Sequence, residues 1–238
     1  MKVLITGAAG QLGVELVQHC IEMGDDVVAA DRSVLDITDS AAVDSLLALH
    51  RPDAVINTAA FTAVDACETN VATAELVNGT AVGIVRAACE KFGAHLVHVS
   101  TDYVFDGTLN RPYVESDETN PQSAYGRSKL AGEIAAGLDA SIARTSWVCG
   151  EYGNNMVKTI LRLAAGDAPL AFVDDQRGHP SFTADLAPAL RVLAIERRAG
   201  KFHLTNSGAV SWCEFVGDIL QAAGYDRRRV SPIATADL

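Results

Sequence analysis

The chain opens on a short apolar run, Lys2-Val-Leu-Ile-Thr6, that passes directly into Gly7-Ala-Ala-Gly10-Gln-Leu-Gly13 and then into a stretch of helical periodicity. Strand, glycine turn and helix in that order begin a βαβ unit. Glycines let the chain turn tightly and let a ligand come close to the backbone. The first amides of the helix are unpaired and carry partial positive charge. The combination makes a cradle for a pyrophosphate, with Gly7, Gly10 and Gly13 forming the turn and Gln11 and Leu12 at the helix start. A glycine triplet alone also suits a tight turn. The strand before it, the helix after it and Asp31 at the end of a second strand-like run favour the cofactor reading.

Strand-like runs at residues 2–6, 27–30, 54–57, 95–99 and 141–148 alternate with helix-like runs at 11–23, 40–50, 72–92 and 124–137. This alternation predicts an α/β fold, a Rossmann-type doubly wound parallel sheet with helices on both faces. After Gly150 the pattern loosens, with helices expected at 155–165, 184–197 and 212–223 and short strands at 171–173 and 201–204. Ser211-Trp-Cys-Glu214 fits a capping box at the last of these helices. The expected organisation is residues 1–150 as an NAD(P)-binding domain and residues 151–238 as a smaller C-terminal substrate-binding lobe, some of whose elements pack back on the main sheet.

Charge and cysteine usage exclude several function classes. The net charge is −11, and Arg227-Arg228-Arg229 is a short basic run, expected to be solvated surface, so no nucleic-acid partner is expected. Five scattered cysteines without a Cys-x-x-Cys read as reduced, mostly buried thiols. The six histidines lack ligand spacing, so no zinc site is expected. No signal peptide and no apolar span of bilayer length is visible, which predicts a soluble, cytoplasmic protein with no membrane partner.

Tyr125-Gly-Arg-Ser-Lys129 places a phenol and an ammonium one turn apart on one helix face. A phenol has a pKa of about 10, and a nearby ammonium favours its phenolate, which suits proton exchange with a carbonyl. Thr101 ends the fourth strand, where ligands of open α/β sheets bind, and so shares that site. Asp31 suits the ribose hydroxyls of NAD, and Arg32 beside it suits the 2′-phosphate of NADP; the two leave the choice open. Asp36 and Ile37 are candidates to flank the adenine. Ala59, Ala60 and Thr62, just past the third strand, are candidates to lie against the cofactor.

Six segments carry a closer resemblance: the glycine turn to Gly13, Asn57-Thr-Ala-Ala-Phe-Thr-Ala-Val-Asp65, Ser100-Thr-Asp-Tyr-Val-Phe-Asp-Gly107, Tyr125-Gly-Arg-Ser-Lys-Leu-Ala-Gly-Glu133, Arg144-Thr-Ser-Trp-Val148 and Val173-Asp-Asp-Gln-Arg-Gly178. In this order they resemble the dTDP-4-dehydrorhamnose reductases, a family of extended short-chain dehydrogenase/reductases. The resemblance implies an oxidoreductase of dTDP-rhamnose biosynthesis. NADPH or NADH would deliver hydride to C4 of dTDP-4-dehydro-L-rhamnose. Tyr125 would give the proton, with Lys129 lowering its pKa and bonding the nicotinamide ribose, and Thr101 tuning the pair. Trp147, which alone suits core packing, would lie against the sugar, with Asp102 and Asn154 as polar contacts. A dTDP-sugar is the implied partner, and a homodimer is compatible with the family. Rival readings are another sugar-nucleotide 4-ketoreductase or an epimerase, and a non-catalytic regulatory subunit. Cys149 stands where the family often has tyrosine, and family members usually run on past residue 238, so the lobe is expected to be incomplete. Some members bind a divalent metal through an acid of the first helix. Glu15 matches that position but is read as solvated surface, and no metal site is assigned.

Overall fold

The structure, a computed structural model, describes residues 1–166 and 168–237. Its elements run β1 (Lys2–Thr6), α1 (Gln11–Glu22), β2 (Asp26–Ala30), α2 (Ser40–His50), β3 (Ala54–Asn57), α3 (Val64–Thr69), α4 (Val71–Glu75), α5 (Ala81–Phe92), β4 (His95–Thr101), α6 (Ala124–Ala136), β5 (Ser141–Thr145), β6 (Val148–Cys149), α7 (Met156–Ala164), β7 (Leu170–Val173), β8 (Arg177–Gly178), β9 (Ser181–Phe182), α8 (Thr183–Glu196), β10 (Gly200–His203), β11 (Val210–Ser211), α9 (Trp212–Ala222) and β12 (Val230–Ile233).

Six strands form one parallel sheet in the order β10-β5-β4-β3-β1-β2. Successive residues of a strand point to opposite faces. Leu4 accordingly packs with Val43, Leu47, Val82 and Val85 of α2 and α5. Val3 and Ile5 pack with Leu12 and Leu16 of α1 and Leu186 and Leu190 of α8. A third apolar cluster, with Ile160, Leu170, Phe215, Val216 and Leu220, holds α7, β7 and α9 together. Residues 183–204 belong to the main sheet layer, since α8 covers it and β10 pairs with β5.

Two elements depart from the sequence expectation. The helix expected over 72–92 is α4, a π-helical turn at Leu76–Thr80, and then α5, with α3 unforeseen before it. The wide turn brings Asn78 inward, where its side chain bonds both backbone groups of Phe61 and the hydroxyl of Ser128. The strand expected over 141–148 is broken between β5 and β6, because Trp147 has φ 45°, a left-handed conformation incompatible with a strand. Among the described residues no helix is long and apolar enough to cross a membrane.

Candidate active site

The parallel register aligns the carboxyl ends of the central strands: Thr6 faces Asn57, Asn57 faces His98, and Thr101 faces Thr145. A cleft of about 920 Å³ opens across this edge. The turn after β1 forms one end of it. Gly7 has φ 66°, and a Cβ there would lie 2.7 Å from the amide nitrogen of Ala59. A Cβ on Gly13 would collide with the carbonyl of Gly7. No side chain caps the start of α1, and Gln11 anchors the turn to the far wall through a 3.1 Å bond from Nε2 to the Val148 carbonyl. Its Oε1 is buried without a partner.

Gly10, Gln11, Leu12, Ala59, Ala60 and Thr62 line this end, and Asp31, Arg32, Asp36 and Ile37 line its far rim. Ser33 N, Ser33 Oγ and Val34 N all donate to Asp31 Oδ1. These bonds hold the carboxylate below its usual pKa range and bind it into its own turn. Asp36 is likewise held down by the backbone and hydroxyl of Thr38. Arg32 is exposed.

At the other end β4 supplies Thr101 and Asp102, and α6 supplies Tyr125 and Lys129. Ser123 fixes the start of α6 by accepting from Gly126 N at 3.0 Å. Tyr125 is half-buried among Phe61, Cys67, Ala74 and Ala124, with Tyr103 edge-on at 5.5 Å. Burial raises its pKa, and the Thr101 hydroxyl acts against that rise. The phenol is therefore protonated near neutrality. Burial also lifts Asp102 to about 6, opposed by the bond it accepts from Thr101 Oγ1 at 3.0 Å.

Lys129 differs from the simple picture of an ammonium aimed at the phenol. It is buried, and its Nζ donates to the carbonyl of Val99 on β4 at 2.6 Å. Desolvation lowers its pKa to about 8, with the charge of Glu133 working the other way. Glu133 is one turn further along α6 and is held by both Arg144 (2.8 and 2.7 Å) and Ser100 (2.6 Å). Position on the helix brings tyrosine and lysine to one face; the sheet backbone decides what the lysine touches.

The third wall is Trp147, with Asn154 exposed beside it. The indole of Trp147 stacks on that of Trp212 at 3.7 Å with an interplanar angle of 13°. A bulky residue in the left-handed region costs about 1–3 kcal/mol and persists only where its surroundings enforce it. Sequence reasoning placed Trp212 only within the capping box of α9. That box is present, since Ser211 Oγ accepts from Glu214 N and Glu214 Oε2 accepts from Ser211 N. Its second role shows only once α9 packs beside β6. Thr145, whose buried hydroxyl has no partner, also lines the cleft and was not singled out.

Two surface expectations are corrected. Glu15 is half-buried rather than solvated, and accepts from Thr183 Oγ1 at 3.2 Å, tying α1 to α8. In the basic run Arg227 and Arg228 are exposed as expected, and only Arg229 departs by being half-buried. Arg228 pairs locally with Asp226, while Arg227 pairs with Asp218 and Arg229 donates to the carbonyls of Ala164 and Gly166 at the end of α7. Among the described residues no group of three or more His, Cys, Asp or Glu could hold a metal ion.

Residues 1–238 match the family described as the RmlD substrate binding domain. A dTDP-4-dehydrorhamnose reductase of Mycobacterium tuberculosis is 44% identical over 99% of this chain and 80% of its own length. A crystal structure of a dTDP-4-dehydrorhamnose reductase from Clostridium acetobutylicum superimposes with a TM-score of 0.96 at 41% identity, over 100% of this chain and 85% of that one. The Bacillus anthracis dTDP-4-dehydrorhamnose reductase in complex with NADP gives a TM-score of 0.95 at 37% identity, over 99% and 85% of the two chains.

Proposed function

Because the chain belongs to the RmlD substrate binding domain family, we propose that it is an NAD(P)H-dependent oxidoreductase that reduces the C4 keto group of dTDP-4-dehydro-L-rhamnose to give dTDP-L-rhamnose. One observation carries this reading. The glycine turn that suits a pyrophosphate and the Thr101–Tyr125–Lys129 group that suits a carbonyl line the same cleft.

The cleft's chemistry fits a dinucleotide. Close backbone approach at Gly7, the uncapped start of α1 and the unpaired Gln11 Oε1 together offer room, amide donors and one acceptor. Gly7, Gly10, Gln11, Leu12 and Gly13 would hold the phosphates, Arg32, Asp36 and Ile37 the adenosine end, and Ala59, Ala60 and Thr62 the flank. A reduced nicotinamide, when bound, supplies the hydride. Tyr125 is protonated near neutrality, so its hydroxyl can give a proton to the carbonyl oxygen as that oxygen gains charge. The phenolate left behind is favoured by the Thr101 hydroxyl and by the positive charge of Lys129 on the same helix face. Trp147, Asp102 and Asn154 would orient the sugar.

Asp31 accepts from Ser33 and Val34 through Oδ1 alone, which leaves Oδ2 for a ribose hydroxyl, while Arg32 is exposed on the rim and suits a 2′-phosphate. Both NADH and NADPH are therefore assayed. The test is NADPH and NADH oxidation followed by absorbance with freshly made dTDP-4-dehydro-L-rhamnose. Stoichiometric oxidation with formation of dTDP-L-rhamnose is the expected result. Turnover without added reductant would instead indicate an epimerase, and cofactor binding without turnover a regulatory subunit.

A further inference from the structure

The chain leaves the main sheet for the smaller lobe at Trp147, and that crossing is held from several directions. Ser181 N donates to the Trp147 carbonyl at 3.2 Å, and Ser146 Oγ donates to the His179 carbonyl at 2.7 Å. A Cβ on Gly178 would collide with the indole of Trp147, so β8 has to be bare there. Trp212 covers one face of the same indole. Trp212 is itself fixed by the capping box, by a bond from Ser211 to Asp174 and by the pairing of β11 with β8. Neither indole is buried as a core residue would be; both are half-exposed and both line the cleft.

We propose that Trp212 is a positioning residue: it acts through Trp147, holding that indole in its left-handed conformation as the wall of the cleft against which the sugar nucleotide lies. The proposal rests on the reductase reading above. Without the second ring, the backbone of Trp147 is free to relax toward the extended region, and the wall shifts away from the sugar. The glycine turn at the other end of the cleft touches this wall through the bond from Gln11 Nε2 to the Val148 carbonyl, so the stack bears first on the sugar and only secondarily on the cofactor.

The chain has two tryptophans, so the indole-specific part of its spectrum reports on this pair. Stacked indoles give an exciton couplet in far-ultraviolet circular dichroism. Trp212→Leu is expected to abolish the couplet and raise KM for the keto sugar roughly 2- to 10-fold, the size of an aromatic pair contact, with smaller changes in kcat and in NADPH affinity. Trp212→Phe is expected to restore the wild-type KM although the couplet stays absent. In the unaltered protein, saturation with dTDP-L-rhamnose is expected to change the couplet. A Leu variant that unfolds cooperatively yet keeps the wild-type KM overturns the proposal, as does a couplet unaffected by saturating ligand. An unaltered protein that oxidises no NADPH with the keto sugar strikes the reductase reading instead.

Discussion

The proton donor proposed at Tyr125 has two requirements. The phenol must be protonated before the reaction, and its anion must be tolerable afterwards. Burial secures the first, and the hydroxyl of Thr101 serves the second. Tyr125→Phe removes the proton and little else, so kcat is expected to fall by about 10²–10⁴-fold with NADPH affinity unchanged by fluorescence titration. Comparable turnover in that variant removes Tyr125 from the role. Burial lowers the pKa of Lys129 to about 8, so kcat/KM is expected to decline as pH rises through that value. Stability shifts the opposite way. The folded pKa lies below the ordinary lysine value of about 10.4, so the unfolded chain binds the extra proton between about 8 and about 10.4, and stability rises with pH across that window. Lys129→Met should flatten this slope in thermal unfolding scans, and an unchanged slope assigns it elsewhere. The tyrosine–lysine spacing was legible in the sequence because it is a property of one helix. The bond from Lys129 to Val99 was not, because its acceptor belongs to a strand 30 residues away.

Helix α6 is held against the rest of the fold by close backbone approach. Its Gly132 lies so near the carbonyl of Asn78 that any Cβ would collide with it, and the imidazole of His98 is beside it. Asn78 rides on the π-helical turn and bonds Phe61 and Ser128, so that turn, the loop after β3 and α6 form one packed unit. Gly132→Ala is expected to lose about 1–3 kcal/mol of stability through overpacking, and to lower turnover by moving Tyr125 and Lys129 together. Denaturant unfolding tests the first effect; wild-type stability would mean that the two helices separate freely. The sequence placed a helix over this region correctly in kind. It could not show the π turn, whose stabilising partners lie 17 and 50 residues from Asn78.

Over the whole molecule, the amino terminus is tied to the C-terminal half. Asp25, almost fully buried, accepts from the Met1 ammonium at 2.9 Å and from both Nε and Nη2 of Arg191 on α8. Burial works against its ionisation, but the bonds from Arg191 and the terminal ammonium prevail and hold its pKa below 3.8. Its stabilisation is therefore complete above that value and is lost as pH falls through the folded pKa. Asp25→Asn should lower the melting temperature at neutral pH and lessen its acid dependence; an unaltered acid dependence would clear Asp25 of that role. Arg191 is where the two descriptions of the chain part. Local sequence determined the order of strands and helices, the glycine turn after β1 and the spacing of Tyr125 and Lys129 on one helix, because each follows from periodicity or spacing within a short stretch. Tertiary structure alone decided that β10 completes the sheet, that α8 returns to cover α1, that Lys129 rests on Val99 and that Trp147 meets Trp212. Each of these needs a partner brought from far along the chain, and no local pattern encodes a partner's position.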